Sequence, residues 1–227
     1  MKWTLLASAL LLAPAAFADP MCVPGTLTSY IALQPGCQIG PILNFEGFGF
    51  SVASSAGGAV AGSTDNIFVT PKITPGSAFG VDMDFTGFSV TSGQSISYLL
   101  TYTIDEPPII RGYTTNLSDP PTPPAFTLVV TELCLGAPFD GATCPNPAIV
   151  QVLSDSQGRS VLQASNTFSP VGVLGVRTTI TLDASQGGFA DILGYGGSAV
   201  VPEPASAAIT GAGLLLLASF LRRRAAR

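Results

Sequence analysis

Between Phe48 and Asp183 the dominant pattern of this 227-residue chain is an apolar residue at every second position, and that spacing leaves few folds open. Successive side chains of a strand point to opposite faces, so a period of two marks a strand with one face buried. Phe48, Phe50 and Val52 alternate with glycine and serine. Phe79, Val81, Met83 and Phe85 alternate with Gly80, Asp82 and Asp84, and Ile96, Tyr98, Leu100, Tyr102 and Ile104 alternate with Ser97, Leu99, Thr101 and Thr103. Leu174, Val176, Ile180 and Leu182 repeat the pattern, while Phe126 to Leu135 and Ile149 to Leu153 are apolar on both parities and suit central strands. Between them lie turn signals: a Gly/Ala/Ser stretch from Ser54 to Asn66, Pro107-Pro108 as a strand end, a proline-rich bridge from Ser118 to Pro124, and a hairpin connection at Ser154 to Gly158. Thr26 to Leu33 reads equally as a short helix or a first strand. Nine or ten short strands predict a mainly β protein, a β-sandwich of jelly-roll or immunoglobulin-like topology.

The two ends of the chain read differently. Lys2, the apolar run Trp3 to Leu12 and the small-x-small triplet Ala16, Phe17, Ala18 form a secretory signal peptide, with cleavage between Ala18 and Asp19. At the other end Ala205 to Leu221 carries no charge and reaches the lower limit of a bilayer span, about 17 residues. Arg222, Arg223, Arg224 and Arg227 follow it and favour a cytoplasmic end. The expected organisation is a signal peptide at 1–18, a β-sandwich ectodomain at 19–193, a flexible glycine-rich linker at 194–201, and a C-terminal segment at 202–227 containing one transmembrane helix, 205–221, and a basic tail, 222–227.

That segment begins with Pro202, Glu203 and Pro204. A Pro-Glu-Pro motif, one short span and a basic stop resemble the PEP-CTERM sorting signal of Gram-negative bacteria that make exopolysaccharide, a tail also carried by some ice-binding proteins. The resemblance implies that Pro202, Glu203 and Pro204 are recognised by exosortase, a membrane-embedded cysteine transpeptidase. It implies an inner-membrane stage before processing and then a place at the cell surface or in the extracellular matrix. Thr26 to Leu33, Gly36 to Gly40 and the aromatic-rich Asn44 to Phe50 also resemble the opening of an ectodomain found on PEP-CTERM proteins, which implies one secreted β domain and no particular activity.

Composition narrows the chemistry. Residues 19–201 hold thirteen acidic residues against Lys72, Arg111, Arg159 and Arg177, and so acidic a body repels a phosphate backbone, which excludes nucleic acid as a partner. Cys22, Cys37, Cys134 and Cys144 all lie in this body and predict two disulfides in an oxidising compartment. Of the three possible pairings, Cys22 with Cys37 and Cys134 with Cys144 close the shortest loops. The chain has no histidine, which removes Ser-His and Cys-His hydrolases, and its cysteine spacings are not those of zinc ligands.

Carboxylate chemistry is the enzymatic alternative. Asp82 and Asp84 share one strand face and Asp105 with Glu106 stands at a strand end, so a secreted carbohydrate-active enzyme working with two carboxylates is the competing class. Asp140-Gly141 and Asp155 to Gly158 offer oxygens to calcium but fit ordinary turns. Thr26/Thr28, Thr101/Thr103 and Thr179/Thr181 are spaced too irregularly for an ice-binding ladder. Asn116-Leu117-Ser118 matches a glycosylation sequon and reads as a chance match in a bacterial setting. No catalytic residue, cofactor or metal is expected. The sequence reads as an exported surface or matrix protein with a structural or adhesive, non-catalytic ectodomain and exopolysaccharide as its partner.

Overall fold

The computed structural model describes residues 20–40, 43–74, 78–118, 124–155 and 160–201, apart from the side chains at 106–108, 155 and 160. Ala18 and Asp19, the motif Pro202, Glu203 and Pro204, the apolar run 205–221 and the basic tail lie outside the described residues. Among the described ones, no helix is long and apolar enough to cross a membrane.

In chain order the elements are β1 (Gly25–Thr26), α1 (Leu27–Ile31), β2 (Cys37–Ile39), β3 (Leu43–Ala56), a 3-10 turn (Thr64–Asn66), β4 (Ile67–Thr74), β5 (Ala78–Phe85), β6 (Ser89–Thr91), β7 (Ser95–Ser118), β8 (Phe126–Leu135), β9 (Pro147–Asp155), β10 (Ser160–Val161), β11 (Gln163–Asp183), β12 (Phe189–Asp191) and β13 (Gly194–Val200). Eleven strands form one antiparallel sheet in the order β1-β4-β5-β13-β7-β11-β8-β9-β10, with β2 on β3 and β3 on β7; β6 and β12 pair separately. The ambiguous Thr26 to Leu33 resolves into a helix because Thr26 stays extended and its Oγ1 accepts the amide of Ser29, a helix N-cap.

Instead of nine or ten short strands, the fold is organised by two long ones, β7 with 24 residues and β11 with 21. They pair along nearly their whole length. The first part of β7 takes β3 as its other neighbour, from Ser95 to Asp105, and the last part takes β13, from Gly112 to Ser118. Between Asp105 and Ile110 the register with β11 breaks. Pro107 and Pro108 fall in that gap, where a residue without an N–H costs no ladder bond. Pro107-Pro108 therefore bends the strand rather than ending it.

The bend is sharp. Tyr102 and Tyr113 sit on the same strand, where eleven residues of straight β would separate them by roughly 36 Å, yet their hydroxyls are hydrogen-bonded. The sheet thus curls into a sandwich-like body. One half is built on β3, β8 and β9, the other on β4, β5 and β13, and β7 and β11 pass from one to the other. A single core fills the interior: Phe45, Leu100, Ile104, Val129, Leu174, Val176 and Ile180 from the first half meet Ile67, Val69, Val81, Met83 and Ala199 from the second. Phe48 stacks on Tyr102 and meets Tyr30 of α1 edge-on, with centroids 5.2 and 5.1 Å apart.

Hydroxyls also cross this interior. Tyr102, Tyr113, Tyr195, Thr131 and Thr178 are all buried and are joined by five hydrogen bonds: Tyr102 to Tyr113, Tyr113 to Tyr195 at 3.3 Å, Tyr195 to Thr131 at 3.3 Å and to Thr178 at 3.0 Å, and Thr131 to Thr178 at 3.1 Å. Each hydroxyl has one proton to donate. If Tyr102 donates to Tyr113, Tyr113 to Tyr195, and Tyr195, Thr131 and Thr178 donate in a ring, every proton is used.

The stretch expected as a flexible linker, 194–201, is instead β13, hydrogen-bonded to β5 on one side and β7 on the other. Its glycines serve close approach rather than mobility. A Cβ on Gly197 would fall on the Tyr113 hydroxyl and one on Gly196 on the Asn116 side chain. The folded body therefore includes β13, and Val201 after it is itself buried. Likewise β3 runs on to Ala56, so Ser54 to Ala56 is strand and the loop is shorter than the composition suggests.

Candidate functional site

Among the described residues, two depressions on the outer faces of the sandwich are candidates for a site. The larger, a cavity of about 240 Å³, lies on the β3-side half and is lined by Gly47, Thr101, Tyr102, Thr103, Phe139, Gly141 and Val176. Its floor is β7, where Thr101 and Thr103 share the outward face. Its near wall is a β-bulge in β3: Glu46 stands opposite Thr103 and Gly49 opposite Thr101, with Gly47 and Phe48 between them. Gly47 takes φ 63° there, and a Cβ on it would meet nothing within 4 Å, so the bulge leaves the cavity open at that point.

The roof is the loop after β8. The Cys134–Cys144 disulfide closes it, and it is stitched to β11 by Gly136 N–H to Val173 O, 2.9 Å, and Gly175 N–H to Ala137 O, 3.1 Å. Gly175 is required beneath it, since a Cβ there would lie 2.9 Å from the Ala137 carbonyl and the Phe139 nitrogen. The loop hangs Phe139 beside the cavity. Arg177 covers the ring, its guanidinium carbon 4.5 Å from the centroid. The same guanidinium donates from Nε to Glu132 at 2.7 Å and from Nη1 to the Gly141 carbonyl at 3.4 Å. The cavity is therefore walled by hydroxyls, backbone and an aromatic ring, and its nearest cation is already paired.

The smaller depression, about 130 Å³, lies on the β13-side half between Asp82 and Asp84 of β5 and Asn116 and Ser118 of β7, with Gly194 and Tyr195 of β13 beneath. The register sets Asp84, Gly194 and Ser118 in one cross-strand row and Asp82, Gly196 and Asn116 in the next. With glycine at the β13 position of both rows, the flanking side chains lean across it. Asp82 forms an ion pair with Lys72, Nζ to Oδ2 2.9 Å, both side chains well exposed; such a pair contributes roughly 0–1 kcal/mol.

The candidate carboxylates fall into two groups on different halves of the sandwich. Asp82 and Asp84 do share a face, but Asp82 is bound to Lys72, and Asp105 pairs with Asn44 and Val173 on the other half of the sandwich. The Glu106 side chain lies outside the described residues. The Asp140-Gly141 turn directs its glycine carbonyl at Arg177, and among the described residues no group of three or more His, Cys, Asp or Glu is placed to hold a metal ion. The threonine pairs scatter: Thr26 caps α1, Thr28 bonds Thr64 at 2.7 Å, Thr101 and Thr103 line the larger cavity, and Thr179 stands opposite Leu99. Cys22 bonds Cys37 as Cys134 bonds Cys144, and no described cysteine is free.

Sequence reasoning missed both depressions. The period-two pattern already set Thr101 and Thr103 on one outward face, but only the bulge at Gly47 and the folded-back loop make a cavity there. Phe139 sits in a stretch without strand periodicity and carried no signal of its own.

No family model matches this chain, and no curated protein matches it. Among solved structures it is similar to that of TmCBM61 in complex with beta-1,4-galactotriose, at 11% identity over 71% of this chain and 86% of that chain, with a TM-score of 0.31. So distant a likeness carries no argument about ligand or activity.

Proposed function

We propose that this chain is an exported cell-surface or exopolysaccharide-matrix protein, sorted by exosortase through Pro202, Glu203 and Pro204 and passing through an inner-membrane stage, with an ectodomain that is structural or adhesive and not catalytic. The observation that carries the reading is the pair of disulfides in the folded body, which suits a protein exported to an oxidising compartment. β13 is held between β5 and β7 up to Val200, Val201 is buried, and the motif follows directly in the sequence.

A proline fixes its own φ and turns the residue before it away from helix, so the sequence Pro202-Glu203-Pro204 reads as an extended element. Glu203→Ala in a strain that makes exosortase is expected to leave export intact and stop removal of the tail, read as a larger, membrane-retained band on blots of membrane and culture fractions. Equal loss of the tail in wild type and variant, or permanent retention in both, would refute the sorting role.

A further inference from the structure

We propose that the cavity beneath the disulfide-closed loop is a binding site for a single uncharged sugar ring of a matrix polysaccharide; the choice of partner rests on the function proposed above. Size sets the first limit. At about 240 Å³ the cavity is smaller than the roughly 300–1,000 Å³ of drug-sized sites, so it holds one ring rather than a run of them.

Chemistry sets the second. Thr101 and Thr103 present hydroxyls that both donate and accept, which suits a ligand whose own groups are hydroxyls. Phe139 lines the cavity and offers apolar surface to the C–H groups of a ring, and Arg177, 4.5 Å from its centroid, helps to fix its position. Arg177 bonds Glu132 and the Gly141 carbonyl, and Glu46, opposite Thr103, has an interaction of its own. A charged ligand would find no unengaged counter-charge among these residues. The site is also preorganised: a ten-residue disulfide loop bonded to β11 forms its roof, so little ordering is left to oppose binding.

The test uses the full chain, purified in a detergent without a sugar headgroup, and saturation-transfer NMR with the methyl glycosides of glucose, galactose, mannose and N-acetylglucosamine, beside glucuronate and glucosamine as charged probes. At least one neutral glycoside is expected to bind with millimolar affinity, about tenfold more tightly than either charged probe. Gly47→Asn puts a side chain into the open part of the cavity at a φ that asparagine tolerates, and should weaken binding about tenfold with an unchanged melting temperature. Thr103→Val removes one hydroxyl at nearly constant shape and should weaken binding about three- to tenfold, which keeps the test decisive if Gly47→Asn folds poorly. Absence of binding by every neutral glycoside, tighter binding of a charged probe, or undiminished binding in the folded variants overturns the proposal. Tail processing is measured separately: a protein that binds glycoside but keeps its tail preserves the cavity assignment and sinks the sorting role, and the reverse result does the opposite.

Discussion

Tyr195 holds more of the interior together than any of its neighbours, because its hydroxyl meets those of Tyr113, Thr131 and Thr178. Tyr102 stands at the end of the chain of hydroxyls, bonded to Tyr113. Tyr195→Phe breaks the ring and leaves buried oxygens short of a partner, at a cost of about 2–3 kcal/mol, whereas Tyr102→Phe costs about 1 kcal/mol; urea titrations of the two variants measure the difference. The same residues make the fold sensitive to alkali. Burial first, and neighbouring tyrosines second, hold Tyr102 and Tyr113 well above the ordinary phenol value of 10, and burial raises Tyr30 to about 12. Unfolded phenols ionise near pH 10, so above that pH the unfolded chain binds fewer protons than the native one and stability falls as pH rises. Below pH 10 this contribution is fully present. The urea midpoint is expected to drop from pH 10 upward, and less steeply in Tyr113→Phe. The alternation around Tyr98 and Tyr102 already placed them on an inner face. The hydroxyl network could not be read the same way, because it joins residues brought together only by the bend in β7.

Among the elements, β13 shows where composition misleads. Glycines in a row read as a loose connection when only the chain itself is considered, but here neighbouring strands already occupy the space a Cβ would need. Gly197→Ala is therefore expected to destabilise by about 3 kcal/mol, near the upper end for overpacking, measured as a lower melting temperature. Pro107-Pro108 misled in the same way, since proline excludes ladder bonds without requiring that a strand end. The half-buried strands were legible because their pattern follows from the pleat alone, while bulges, bends and the loop over Gly175 depend on partners far away in sequence. The disulfide over the larger cavity belongs at this scale too. Replacing Cys134 and Cys144 with alanine removes a ten-residue closure, with an expected cost of about 3 kcal/mol and greater protease sensitivity at 136–146.

At the scale of the whole molecule, the β class and the single core were legible from the spacing of apolar residues, and the surface depressions were not. A pattern along one strand says which face is outward, not what folds over it. The neighbour relations explain the remainder: the strand between β5 and β7 is β13, the last of the described strands. A chain ending at Leu193 is expected to lose cooperative thermal unfolding altogether, rather than shift its midpoint, because β5 and β7 would then face each other across an unfilled gap; near-ultraviolet circular dichroism with a thermal scan checks it.

The place of β13 also sets a timetable. β5 leaves the ribosome roughly 5–20 s before β13 at ordinary rates of synthesis, and throughout that interval the ladder has no strand to join its two parts. The nascent protein is held open by the order in which it is made. If the chain is exported as proposed, this delay keeps it fit for threading through a membrane, and closure of the sheet comes only once β13 has followed.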